Sequence, residues 1–181
     1  MEEKRVGPGK IIEIKYELRE NNSDGQVLEI MDEQWPLKFL FGKRTMLPVF
    51  EEYLSVLEEG QRFEFTLDPE DAYGLHDIDQ VVMVYKQELV LSDRHPYEML
   101  DSGDYVQLQT VEGKKLTGAI KDKTDLFLVV DCNHSMAGKK LHFKGQILFI
   151  RPARADEIEA GRYIEPNGFR SQSTLRQPPN E

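Results

Sequence analysis

Cysteine is almost absent from this chain: Cys132 is the only one in 181 residues. No disulfide can close within one chain and no thiolate cluster can gather a metal, which fits a reducing compartment. Long apolar runs are missing too, since nothing approaches the roughly 20 apolar residues that a membrane span requires. The opening MEEKRVGPGKIIEI places charges and glycine where a secretory signal needs an apolar core. The expected location is therefore cytoplasmic, with no membrane partner. Positive charge is in deficit, 23 Lys and Arg against 33 Asp and Glu, for a formal net charge of -10. That balance repels phosphate backbones at long range and argues against nucleic acid. Gly42-Lys43-Arg44-Thr45 sets a lysine beside a glycine but lacks the upstream glycine of a phosphate loop. The four histidines, His76, His95, His134 and His142, are accompanied by no further cluster of ligands, so no metal site and no cofactor are expected.

What is present is a set of short alternating segments. In KIIEIKYELR (10–19), Ile12, Ile14, Tyr16 and Leu18 share one face and Glu13, Lys15, Glu17 and Arg19 the other, the pattern of a half-buried strand. NNSDG (21–25) supplies turn chemistry and leads into a second strand over Gln26–Ile30. After LKFLF (37–41), Pro48 can open a helix, and Val49, Phe50, Tyr53, Leu54 and Leu57 recur at helical spacing before Gly60. Phe63, Phe65 and Leu67 form the apolar face of another strand, which ends at Asp68-Pro69-Glu70-Asp71-Ala72-Tyr73-Gly74. Residues 75–131 read as a small β unit of their own, with the apolar run VVMVY (81–85), a polar hinge SDRHP (92–96) and strands near 104–111, 115–121 and 126–131. KLHFKGQILFIR (140–151) is a final strand with Leu141, Phe143, Ile147 and Phe149 expected on one face, followed by a helical segment RADEIEAG. From Tyr163 the composition turns to Asn, Gln, Ser, Pro and Arg, too few apolar groups to offset ordering entropy. A disordered tail is expected over 163–181.

Four blocks in order, DGQVLE (24–29), PLKFLFGK (36–43), PEDAYG (69–74) and NHSMAGKKLHF (133–143), make the chain resemble the FKBP-type peptidyl-prolyl isomerases of the SlyD-like subfamily over roughly residues 6–162. The resemblance implies an α+β, mostly β fold: an antiparallel sheet wrapped on one short helix, carrying a small β-rich insert-in-flap domain. The implied boundaries are 1–76 and 131–162 for the isomerase domain and 77–130 for the insert.

It also implies a prolyl pocket. Tyr73 and Glu29 fall on the family's catalytic positions, with the Tyr73 hydroxyl and the Leu47 N–H as donors to substrate carbonyls. Tyr16, Leu28, Phe39, Met46, Leu47, Phe50 and Phe143 fall on its substrate-binding positions. Glu29 stands where the family usually has Asp, and Pro48-Val49 where a glycine usually precedes the floor residue. The tail after Gly161 contains none of the histidines that SlyD-like proteins often carry there. Unfolded or proline-containing polypeptides are the implied partners, met by a monomer. Val81, Val82, Met83, Val84, Tyr85, Leu89, Val90, Leu91 and Met99 in the insert suit an adaptable client surface. The alternative function is a non-catalytic polypeptide-binding chaperone with a degenerate pocket.

Overall fold

A computed structural model describes residues 4–90 and 96–165. Its strands are β1 (Lys10–Glu20), β2 (Val27–Met31), β3 (Leu37–Leu40), β4 (Arg62–Leu67), β5 (Val81–Tyr85), β6 (Tyr105–Gln109), β7 (Lys115–Lys123), β8 (Phe127–Asp131) and β9 (Leu141–Pro152). Its α-helices are α1 (Pro48–Leu54) and α2 (Ala155–Ala160). No helix among the described residues is long and apolar enough to cross a membrane.

The chain divides into two compact units, one running up to Gly74 and resuming at Lys139, the other Leu75–Gly138. The second unit thus begins two residues before the expected 77 and ends eight after the expected 130. Hydrogen bonds account for part of the extension, because residues 76–77 and 131–133 hold each other. His76 Nε2 lies 3.0 Å from Asp131 Oδ2, the Asp77 N–H donates to Asn133 Oδ1 at 2.9 Å, and Asn133 Nδ2 donates to the Asp77 carbonyl at 2.8 Å.

In the first unit the strands run antiparallel in the order β2-β1-β9-β4, with β3 paired to the start of β1. The alternation of β1 does what it predicts: Ile12, Ile14, Tyr16 and Leu18 are all buried. On the other face Ile11 is buried as well, in a small cluster with Leu40 and Tyr163. That contact corrects the expected start of the tail, since Tyr163 is only 9% exposed and its ring lies 5.8 Å from both the Lys38 ammonium and the Arg151 guanidinium. Residues 166–181, where the rest of the expected tail falls, lie outside the described residues.

Two further expectations need correction. Phe149 is 47% exposed while Ile150 is buried, because β9 bulges: Glu13 pairs with Phe149 but Ile14 with Ile147, leaving Leu148 extra. An inserted residue flips every later side chain to the opposite face. Helix α1 stops at Leu54 rather than running to Gly60; beyond it the chain tightens, the Ser55 and Leu57 N–H groups donating three residues back to the Glu52 and Leu54 carbonyls. At Gly145 a Cβ would stand 2.3 Å from the Lys15 carbonyl oxygen and 2.5 Å from the Phe63 ring, so only glycine lets Phe63 lie across β9.

The second unit is a sheet in the order β5-β8-β7-β6, with β5 and β6 at its edges. Its core is largely aliphatic: Val84, Leu89, Leu100, Leu116, Ile120, Leu128 and Val130, with Tyr97 the one buried ring, its hydroxyl donating to the Thr124 carbonyl. Of the residues expected on a client surface, Val84 and Leu89 are core, Met83, Tyr85, Val90 and Met99 are exposed, and Val81 and Val82 are half-buried. Leu91 and nearly all of the SDRHP hinge lie outside the described residues.

Candidate functional site

The inward face of the first unit's sheet carries a set of aromatic rings aligned by strand register. Tyr16 on β1 and Phe63 on β4 both oppose Gly145, while Phe65 opposes Phe143 one step along. Phe50, placed inward by the first turn of α1, contacts them all: its centroid is 5.1 Å from Phe143, 5.7 Å from Phe65, 6.3 Å from Phe63 and 6.5 Å from Tyr16. Tyr16 and Phe143 lie 6.1 Å apart. These tilted and edge-on contacts are the arrangement that ring quadrupoles favour. Tyr16, Phe50 and Phe143 are at most 3% exposed, so they form an apolar floor.

One polar contact is set into that floor. The Tyr16 hydroxyl donates to Glu29 Oε1, and Glu29 lies at the bulge of β2, where the pairing to β1 shifts after Leu18. The bulge leaves Leu28 and Glu29 both half-buried. Glu29, Tyr16, Phe50 and Phe143 are thus gathered in one place.

Met46 and Leu47 are buried immediately before α1. The Leu47 carbonyl accepts the N–H of Glu51 and so starts the helix, whereas Pro48 contributes no N–H. Among the described residues the Leu47 N–H has no acceptor. A peptide N–H with no acceptor among the described residues is equipped to meet a ligand carbonyl.

Phe39 and Tyr73 stand differently. Phe39 is buried, but it pairs with Ile12, four residues from Tyr16 along β1, roughly 13 Å at the usual strand rise. Leu37, fully buried and opposite Ile14, is nearer by two residues. Leu37, Phe63 and Phe65 are not among the pocket positions that the resemblance implies, although their period of two marks the same face. Tyr73 is half-buried on the turn after a 3-10 segment, Pro69–Asp71, where the Ala72 and Gly74 N–H groups both donate to the Pro69 carbonyl.

Beside Tyr16 is a hollow of about 390 Å³, lined by Tyr16, Ile30 and Met31 together with Lys15, Arg62 and Lys144. Two of its lysines are engaged in the pairs Lys15–Glu33 and Lys144–Glu64. Among the described residues no three His, Cys, Asp or Glu side chains cluster as a metal ion would need.

The model of the family described as FKBP-type peptidyl-prolyl cis-trans isomerase matches residues 2–92. Three similar proteins bear the name FKBP-type peptidyl-prolyl cis-trans isomerase SlyD. That of Helicobacter pylori is 31% identical over 86% of this chain and 80% of its own length. That of Aeromonas hydrophila is 30% identical over 87% and 70% respectively. That of Escherichia coli K12 is 27% identical over 87% and 76%.

Proposed function

The chain belongs to the FKBP-type peptidyl-prolyl cis-trans isomerases, in their SlyD-like group, and from that membership we propose that it rotates X–Pro bonds of unfolded or partly folded polypeptides while its insert holds them. Amide resonance sets a barrier of about 18–20 kcal/mol to this rotation. The catalyst needs neither nucleophile nor proton shuttle. It needs a place where the twisted amide, which has lost charge separation across C–N, is favoured over the planar one.

Tyr16, Phe50 and Phe143 supply the apolar floor against which a proline ring packs and loses water. Met46, Leu28 and, deeper in the fold, Phe39 and Leu37 extend the apolar wall. The Leu47 N–H donates to the carbonyl that precedes the proline, and the Tyr73 hydroxyl to a second substrate carbonyl. Glu29, tied to Tyr16, fixes that ring at the edge of the floor, its carboxylate reaching from the bulge of β2 despite the extra methylene. The contact of Tyr16 with Phe50, Phe143 and Glu29 at once is the observation that carries the reading.

The insert favours a holding role beside catalysis. Met83, Tyr85, Met99, Tyr105 and Leu126 are each at least 43% exposed, β5 pairs only with β8 among the described residues, and Tyr85, Lys86, Gln87, Asp125 and Leu126 surround a hollow of about 550 Å³. An open strand edge beside flexible apolar groups accepts varied extended chains. The proposed setting is a monomer in the cytoplasm.

A protease-coupled assay on a proline tetrapeptide tests the isomerase. The expected result is acceleration of cis-to-trans conversion well above the spontaneous rate. No acceleration, together with suppression of client aggregation, would leave only the non-catalytic chaperone.

A further inference from the structure

The segment 42–46 joins β3 to α1 and delivers Met46 and Leu47 to the site. It contains two left-handed residues, Gly42 at φ 81° and Arg44 at φ 55°. A non-glycine residue in that region is strained and persists only when its surroundings fix it. The ends of this loop are fixed by one side chain from the helix it leads into. Glu51 is 8% exposed, and its Oε2 accepts the N–H of Gly42 at 3.2 Å. The Met46 N–H acts electrostatically on the same carboxylate, while Oε1 is buried with no hydrogen-bond partner.

Burial pushes the Glu51 carboxyl up from its ordinary value, against the two backbone N–H groups that pull it down. A carboxylate in such a place is costly, because an unpaired oxygen without water forfeits its hydration. A leucine would fill the space without that cost. What a leucine cannot do is hold the Gly42 N–H nine residues upstream and attract the Met46 N–H at the other end of the strained loop.

We propose that Glu51 is a positioning residue for prolyl isomerisation: its carboxylate spans the 42–46 loop and thereby sets the Leu47 N–H against the Tyr16, Phe50 and Phe143 floor. Phe50 is its chain neighbour, so the same helical turn carries both the floor ring and the group that aligns the donor. The inference rests on the isomerase reading above.

The test compares E51Q, E51D, E51A and a control, I11A, whose site is the Ile11, Leu40 and Tyr163 cluster. Glutamine keeps the reach and one acceptor oxygen, so E51Q should retain kcat/KM on a proline tetrapeptide within about twofold. Aspartate keeps the charge but is one methylene short. E51D and E51A should lose about tenfold or more, chiefly in kcat, with I11A within about twofold after a comparable fall in Tm.

Native-like kcat/KM in folded E51D or E51A would overturn the inference, as would an equal loss in I11A. If E51A does not fold, the contrast of E51D with E51Q decides. If the native protein itself is inactive, the isomerase reading fails separately. The positioning claim is then read from the affinity of a proline tetrapeptide, which E51D should weaken and E51Q should not.

Discussion

The two units build their cores from different side chains. The first packs rings inside: Tyr16, Phe39, Phe50, Phe63 and Phe143 are each at most 7% exposed, while Trp35, Tyr53 and Phe149 lie at its surface. The second builds its core from Val, Leu and Ile, with one buried Tyr, and leaves Met83, Tyr85, Met99, Tyr105 and Leu126 to solvent. Rings locked together by several neighbours make a surface of one shape, suited to one small group such as a proline. Exposed methionines and a free strand edge make a surface that adapts. On the function proposed above, the difference would separate a catalyst's fixed floor from a holder's tolerant face within one chain.

The largest expected effect strikes the fixed floor. Phe143→Ala removes a fully buried ring that touches Tyr16, Phe50 and Phe65, and should cost the first unit about 3–5 kcal/mol. Denaturant melts read by amide signals of each unit should show the loss there and leave Leu128 and Val130 in the second unit unmoved. A uniform loss across both would erase the contrast.

Acid should act next. Arg151 donates twice at 2.7 Å to the fully buried Glu157, which also accepts from the Arg154 N–H. The Arg151 guanidinium first, against the cost of burial, holds the Glu157 carboxyl down at about 2 from 4.5. A depressed carboxyl stabilises fully above the unfolded value and is lost as pH falls through the folded one. Between about pH 4.5 and pH 2 the first unit should thus lose up to about 3 kcal/mol, a slope absent from Glu157→Gln in pH-dependent melts. The second unit has its own acid-sensitive group. Burial pushes Asp131 up, but His76 and Asn133 outweigh it and hold it well below the carboxylate range.

A smaller effect is expected at Tyr73, on the turn after Pro69–Asp71. Tyr73→Phe removes one hydroxyl, worth about 1 kcal/mol in a neutral hydrogen bond, so kcat/KM should drop about fivefold. An unchanged rate would remove Tyr73 from the site. The least effect on stability belongs to the tolerant face. Met83→Ser, Tyr85→Ser and Leu126→Ser combined should shift stability by only about 0.5 kcal/mol each. Suppression of client aggregation should weaken while tetrapeptide turnover stays as it was. Intact suppression would show that the exposed groups do not hold clients.

The parts legible in the sequence were those that depend on one segment alone. The alternation of β1, the proline that opens α1 and the blocks flanking the insert needed no knowledge of partners. What escaped depended on a second segment. The bulge at Leu148 exists only against β1, and it turned Phe149 outward. Tyr163 sits in a polar stretch and is held by Ile11, Leu40, Lys38 and Arg151, from three distant strands. Leu37 and Phe39 read alike until the register with β1 set them at different distances from Tyr16. Nothing in the segment around Glu51 marks it as buried, because the Gly42 N–H it accepts is brought to it only once the loop closes.

The clasp of residues 76–77 on 131–133 bears on how quickly the chain can fold. Leu67 on β4 pairs with Leu141 on β9, a separation of 74 positions (141 − 67), and pairings so remote slow folding because the intervening loop must be closed first. If the insert forms early, His76–Asp131 and Asp77–Asn133 short-circuit that span, and the chain left to be ordered is little more than the segments 68–75 and 134–140. The prediction is kinetic: destabilising the clasp by Asn133→Ala should slow refolding of the aromatic unit while hardly changing its unfolding rate. An interruption in the sequence would then serve its host as a ready-made turn.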